Sequence, residues 1–396
     1  MNKEELDRLL DAMVQSAEGI SDLLFVAGRP MQVETQGDLK PFVDEQHEPL
    51  LTSARIESLA MTIIGNNPRL LQDLKEHGSC DCAYTLGNSC RFRVNIYLQN
   101  GNYAMVLRHL KPLIPDFISL NMGPTFQQVI KEKNGIIFVT GGTGMGKTTT
   151  MAAMLNEINR TRDIHILTLE DPIEFVFTPI KSTFSQRELG SDFYSFHRGM
   201  RAAMRQAPKI IFIGEIRDRE TMEIVLNAGE TGHLVFSTLH TTSASMTINR
   251  IIGMFGTDEE TSVRERLAGS MRFIISQRLV PAISGSRLLV TEMMGSNLRT
   301  REAILLGEKE GRSLDDIIES GTVNGWHSFE QSLFKAYEQD LITDETALLY
   351  CTNKMKMVQR IDTLSLHKPR KSSTGTSLFA DLKMHEEEKL RNKSKL

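Results

Sequence analysis

Ile136-Ile-Phe-Val-Thr-Gly-Gly-Thr-Gly-Met-Gly-Lys-Thr-Thr-Thr150 decides how this chain folds. Ile136 to Val139 form an apolar run short enough for a buried strand. It leads into Gly141-x-x-x-x-Gly146-Lys147-Thr148, the pattern of a phosphate loop. Glycines let the backbone curl so that successive N–H groups converge on one anion. The helix expected from about Lys147 turns its positive dipole end to the same point. In this pattern Gly142, Thr143, Gly144, Met145, Gly146, Lys147, Thr148 and Thr149 surround the phosphates of a nucleoside triphosphate. Lys147 would neutralise the β and γ oxygens, and the Thr148 hydroxyl would hold Mg2+. A glycine-rich turn alone is only a turn; the strand before it and the helix pattern after it make it a site.

Outward from this stretch, residues from about 118 alternate strand and helix patterns, which implies a parallel sheet with crossover helices. Strands are expected at 136–140, 164–169, 210–213 and 233–238. After residue 260 helical patterns dominate, at 261–278, 300–306, 313–319, 328–339 and 344–350. Toward the N-terminus the rhythm differs. Leu6, Leu9, Leu10, Met13, Val14 and Ala17 form the stripe of an amphipathic helix over 4–17. A strand is expected from Ser21 to Val26, and a hairpin about Gly37-Asp38. A helix over 54–64 ends at Asn66-Asn67-Pro68. From Arg91 to Leu98 apolar and polar residues alternate, and Asn100-Gly101 turns the chain back. The arginines of that polar face read most simply as solvated. Residues 1–110 are therefore expected to be an α+β domain and 111–117, with two prolines, a linker. Residues 118–365 would be an α/β domain ending in helices. Residues 366–396, rich in Lys, Ser and Glu, are expected to be a disordered tail with a short helix near 378–391.

A chain of 396 residues is long enough for two domains. Its net charge of −4 gives no general attraction to nucleic acid. No apolar run approaches a membrane span, and the acidic N-terminus lacks an export signal. Four cysteines, one isolated at Cys351, suit a reducing cytosol. Cys80, Cys82 and Cys90 lack the paired spacing of a zinc site and read as strand cysteines.

Three further stretches narrow the chemistry. Thr168-Leu-Glu170-Asp171-Pro-Ile-Glu174 ends a predicted strand, at the edge where open α/β sheets bind ligands. Glu170 and Asp171 could hold Mg2+ through water, and Glu170 could polarise the attacking water. Ile210-Ile-Phe-Ile-Gly-Glu215-Ile-Arg217-Asp218 is an apolar strand ending in an acid, with Gly214 where many P-loop enzymes place Asp. Glu215 is the candidate that orients water onto the γ-phosphate. In Thr231-Gly-His233-Leu-Val-Phe-Ser-Thr238-Leu-His240, two histidines bracket a strand and could sense that phosphate. Arg198, Arg201 and Arg205 share a helix face. They and Arg217 could bind acids in the same subunit or reach a neighbouring nucleotide.

These four stretches, in this order, resemble the Walker A, Asp box, atypical Walker B and His box of the type II/type IV secretion ATPases. The resemblance is to the type IV pilus retraction ATPases of the PilT/PilU kind, and it extends over about residues 1–360 through Arg91-Phe-Arg-Val-Asn and Ser328-Phe-Glu-Gln-Ser-Leu-Phe. It implies a PAS-like N-terminal domain, a RecA-like ATPase core with a helical C-terminal part, and a homohexamer binding ATP and Mg2+. It implies that Arg93 and Arg108 approach the nucleotide as the domains close. It also implies a motor docked on the cytoplasmic face of an inner-membrane platform protein. Arg299-Thr-Arg-Glu-Ala-Ile-Leu-Leu306 departs from the A-I-R-N-L-I-R-E of PilT-type enzymes, and Gln206-Ala-Pro-Lys209 stands where acids are common. An accessory, PilU-like motor working with a sister ATPase is therefore expected. A nucleotide-binding regulatory subunit and an assembly or secretion ATPase are the alternatives; a nucleic-acid pump is the weakest.

Overall fold

The computed structural model describes residues 2–35, 37–43, 50–87, 90–110, 113–308 and 313–367. They form two compact units. The first comprises Met1–Ile114 with Thr168–Pro179 and Phe184–Gly199; the second comprises Pro115–Leu167, Ile180–Thr183 and the chain from Met200 onward.

The first unit begins with α1 (Lys3–Gln15), β1 (Ile20–Phe25), β2 (Gln32–Thr35), β3 (Asp38–Pro41) and α2 (Ser53–Ile64). It continues through α3 (Pro68–His77), β4 (Ser79–Leu86), β5 (Cys90–Gln99) and β6 (Asn102–Leu110). The sheet is antiparallel throughout, in the order β3-β2-β1-β6-β5-β4. On β5 the period of two is explicit: Phe92, Val94 and Ile96 are fully buried while Arg93 is exposed. They pack with Leu6, Leu10 and Met13 of α1 and Ile56 and Leu59 of α2 in one core. Asn66-Asn67-Pro68 ends α2 but also starts α3. Asn67 accepts from the N–H groups of Arg69 and Leu70, and Pro68 occupies the first helical turn, where its missing N–H costs nothing.

From Pro115 the chain runs through α4 (Thr125–Val129), β7 (Gly135–Thr140) and α5 (Lys147–Thr161). There follow β8 (His165–Glu170), β9 (Thr183–Glu188), α6 (Phe196–Ala203), β10 (Ile210–Ile213), α7 (Arg219–Glu230) and β11 (Leu234–Leu239). The chain then runs through α8 (Ala244–Ile252), α9 (Glu260–Ser270), β12 (Met271–Pro281), β13 (Arg287–Gly295) and α10 (Leu298–Leu306). It ends in α11 (Leu314–Ser320), α12 (Phe329–Glu338), α13 (Asp344–Tyr350) and α14 (Lys354–His367). The seven strands β7 to β13 form one sheet, ordered β13-β12-β7-β11-β10-β8-β9. β12, β7, β11 and β10 are mutually parallel, and β13 is antiparallel to β12. Every residue of β7, β10 and β11 is buried, as expected of a sheet covered on both faces.

The helical pattern read over 261–278 is a helix only to Ser270; from Met271 the chain is β12, and β13 and β9 are further strands that periodicity did not reveal. Met271, Phe273, Ile274, Ile275 and Gln277 are all buried. A run buried on both faces carries no alternation that would separate strand from helix. Of the expected tail, Leu366 and His367 belong to α14, and 368–396 lies outside the described residues, as do Lys111 and Pro112 of the expected linker.

Candidate nucleotide site

β7 delivers the chain to the glycine loop, and α5 leaves it at Lys147. Gly146 precedes α5 in the left-handed region, at φ +81°, a conformation that costs a residue without Cβ nothing. Gly141 has φ +152°, and a Cβ there would lie 2.7 Å from the Gln277 carbonyl oxygen. The loop therefore turns against β12 with no room for a side chain at its first position.

The Lys147 side chain is buried at 9% exposure. Its Nζ donates to the carbonyl oxygens of Gly141 at 2.9 Å and Gly142 at 3.0 Å, so the ammonium is folded back along the loop. It also lies 3.4 Å from Nδ1 of His240. The other ring nitrogen of His240, Nε2, lies 3.4 Å from a Glu215 oxygen. The second Glu215 oxygen accepts from Arg217. An imidazole carrying its proton on Nε2 serves both contacts, accepting at Nδ1 and donating at Nε2. Lys147, His240, Glu215 and Arg217 thus form one continuous chain of polar contacts beginning at the phosphate loop.

Sheet register explains the assembly. β11 runs parallel to β7, with Leu239 opposite Thr140, so His240 emerges level with the start of the loop. β10 lies on the other side of β11. The Thr238 hydroxyl donates to the Gly214 carbonyl at 2.6 Å, and Ser237 to that of Ile213 at 3.0 Å. These bonds hold the turn that carries Glu215. Asp218 then caps α7 through the Thr221 N–H at 2.7 Å, which fixes the chain on the far side of Arg217.

The structure does not bring His233 to this chain. Leu234 pairs with Gly135, and the Gly135 N–H donates to the His233 carbonyl. His233 therefore lies at the opposite edge of the sheet, where its ring meets the Thr231 hydroxyl. Two ends of a parallel strand cannot serve one phosphate; at roughly 3.3 Å per residue the six residues of β11 separate them by about 20 Å.

Of the remaining candidates, Glu170, Asp171, Arg93, Arg108 and Arg198 belong to the first unit, and Arg201 and Arg205 to the second. Glu170 ends β8 with 4% exposure and accepts from the Thr168 hydroxyl at 2.6 Å and the Gln186 amide at 3.3 Å. Burial pushes its carboxyl up to about 7, against the lowering effect of those two bonds. Asp171 and Glu174 follow it, half-buried. Arg93 and Arg108 stand opposite each other on β5 and β6. Arg93 is exposed, and Arg108 donates to the buried Asp22 at 3.0 Å. Arg91 of the same strand instead pairs with Glu188. Arg198 and Arg201 lie on α6, and Arg205 donates to the Arg201 carbonyl. Among the described residues no cluster of three His, Cys, Asp or Glu side chains could hold a metal alone.

Glu292 of β13 was not apparent from the sequence. With 6% exposure, it accepts from the Ala244 N–H at 2.8 Å and so holds the first turn of α8, four residues beyond His240. Burial, reinforced by Asp315 and Glu330, pushes its carboxyl from near 4.5 up to about 7. The folded state therefore binds the proton more tightly than the unfolded state between those values, and stability falls as pH rises through that window. Glu292→Gln keeps the acceptor and removes the ionisation. Denaturant unfolding should show the variant equal to the parent near pH 4 and more stable at pH 8, by roughly 3 kcal/mol.

A doubly covered parallel sheet, a glycine loop opening a helix, and a buried lysine leading to a histidine and a glutamate define a P-loop nucleoside triphosphatase of the RecA-like class. Residues 69–365 match the family described as Type II/IV secretion system protein, and the chain belongs to that family. The type IV pilus retraction ATPase PilT of Pseudomonas aeruginosa is 37% identical over 330 residues, covering 83% of this chain and 94% of PilT. The type IV pilus ATPase PilU of the same organism is 33% identical over 349 residues, covering 87% of this chain and 91% of PilU. Among solved structures, the pilus retraction motor PilT with bound ADP superposes with a TM-score of 0.80 at 36% identity. That match covers 91% of this chain and 99% of the PilT chain.

Proposed function

We propose that this chain is an ATP-hydrolysing motor that drives type IV pilus retraction, working as a homohexamer. One observation carries the reading: the polar chain from Lys147 through His240 to Glu215 begins at the phosphate loop. Lys147 would leave the Gly141 and Gly142 carbonyls for the β and γ oxygens. Glu215, held by Arg217 and His240, would orient the attacking water and take its proton, and His240 would report the state of the γ-phosphate to both. The loop fits a nucleotide with its metal: its glycines leave the backbone open, and the Thr148 hydroxyl stands on the first turn of α5. Mg2+ held there would neutralise charge on the transferring phosphoryl group. Glu170 and Asp171 are the further candidates for that metal, and Arg93 and Arg108 the further candidates for the nucleotide.

No described helix is long and apolar enough to cross a membrane, which suits a motor docked on the cytoplasmic face of an inner-membrane platform protein. The departure at Arg299–Leu306, now α10, favours an accessory, PilU-like role beside a sister retraction ATPase. The test is deletion followed by complementation. Loss of the gene should leave cells piliated but deficient in twitching. In a strain lacking every other retraction ATPase, this chain alone should restore little movement. A deletion strain without surface pili would point instead to assembly.

A further inference from the structure

We propose that Gln277 is a positioning residue for nucleotide binding: its side-chain amide sets the direction of the Met145–Gly146 peptide in the phosphate loop. The proposal rests on the ATPase reading and deepens it.

β12 lies beside β7, with Ser276 opposite Thr140, so Gln277 stands level with the first glycine of the loop. Its side chain is 1% exposed. Nε2 donates to the Met145 carbonyl oxygen at 2.5 Å. In a planar trans peptide the carbonyl and the following N–H point to opposite sides. Drawing the Met145 oxygen toward β12 therefore turns the Gly146 N–H away from β12, leaving it for the cradle whose N–H groups must converge on phosphate. Two further contacts from the same strand close the loop on this side. The Gln277 backbone oxygen lies 2.7 Å from where a Gly141 Cβ would be, and the Leu279 N–H meets the Met145 sulfur at 3.4 Å.

The other end of the amide argues that this single bond is its purpose. Gln277 Oε1 is buried and has no hydrogen-bond partner among the described residues. An unpaired buried acceptor is unfavourable, and an apolar side chain of the same size would avoid the penalty. Stability alone would not select glutamine here. The strand itself is firmly held. The neighbouring Arg278 guanidinium donates to the Tyr350 carbonyl and the Thr352 hydroxyl and lies 3.9 Å above the Phe329 ring. A donor on such a support can orient a loop more exactly than the loop can orient itself.

The test compares wild type, Gln277→Met and Gln277→Glu as full-length protein. Met preserves length and lacks the donor; Glu preserves shape and sets acceptors against the Met145 oxygen. Calorimetric titration with ADP, steady-state ATP kinetics and nucleotide-free melting are measured on each. Gln277→Met should raise the ADP Kd and the ATP KM about tenfold, change kcat less than threefold, and melt no lower than wild type. That split marks lost binding common to ground and transition states; a purely structural role would lower melting and kcat together. Gln277→Glu should lose more affinity than Gln277→Met, and it decides alone if the methionine variant does not fold. An ADP Kd within twofold of wild type in a folded variant overturns the proposal. Failure of the ATPase reading would look different, since wild type itself would then neither bind ADP nor turn over ATP.

Discussion

Replacing Lys147 with alanine is expected to lower ATP turnover by at least about 10² to 10³-fold, the size of effect seen when one donor is removed from an oxyanion-stabilising site. The lysine reaches back across the loop to the carbonyls of Gly141 and Gly142 while also meeting His240. Removing it deletes the cation that balances the β and γ oxygens and detaches the loop from His240 in one step. Nucleotide affinity should fall as well, because the charge is used in the ground state and in the transition state alike. Melting should change little or rise, since a buried ammonium held by two carbonyls offsets its own desolvation at best. Phosphate release and ADP titration on the purified variant measure both effects.

Glu215→Gln separates catalysis from binding. The substitution keeps the shape of the side chain and removes the base. Turnover should fall by between about 10² and 10⁴-fold, the range for loss of a positioned general base, while ATP and ADP affinities stay within about threefold of wild type. The reason is geometric. Glu215 touches His240 and Arg217 rather than the loop, so it makes no ground-state contribution to the cradle. Its two partners are more than half exposed, and ion pairs of that kind add little stability. The variant should therefore fold normally and retain ATP.

The parts of this site that were legible in the sequence share one property: their signals are local. The loop from Gly141 to Thr148, the strand before it and the acid at 215 each announce themselves within ten residues. His240 was named from its place at the end of a predicted strand. His233 carried the same local signal, yet register puts it at the other edge of the sheet. Asn67-Pro68 was legible as a stop and illegible as a start, because capping chemistry reads alike from both sides until the next helix is known. β12 was hidden for a different reason. Its burial on both faces erases the alternation that marks a strand. With β12 hidden, Gln277 could not be found either, since its partner Met145 lies 132 residues earlier in the chain. Glu292 is similar, a carboxyl whose role depends on the first turn of α8, 48 residues before it. Adjacency in a sheet is a property of topology, and no window along the sequence contains it.

The most direct test of the account is a structure of the Glu215→Gln protein crystallised with ATP and Mg2+. The account predicts that Lys147 Nζ has left the Gly141 and Gly142 carbonyls for the β and γ oxygens, with His240 and residue 215 on the γ side. Phosphates bound elsewhere, with Lys147 still donating to those two carbonyls, would contradict it.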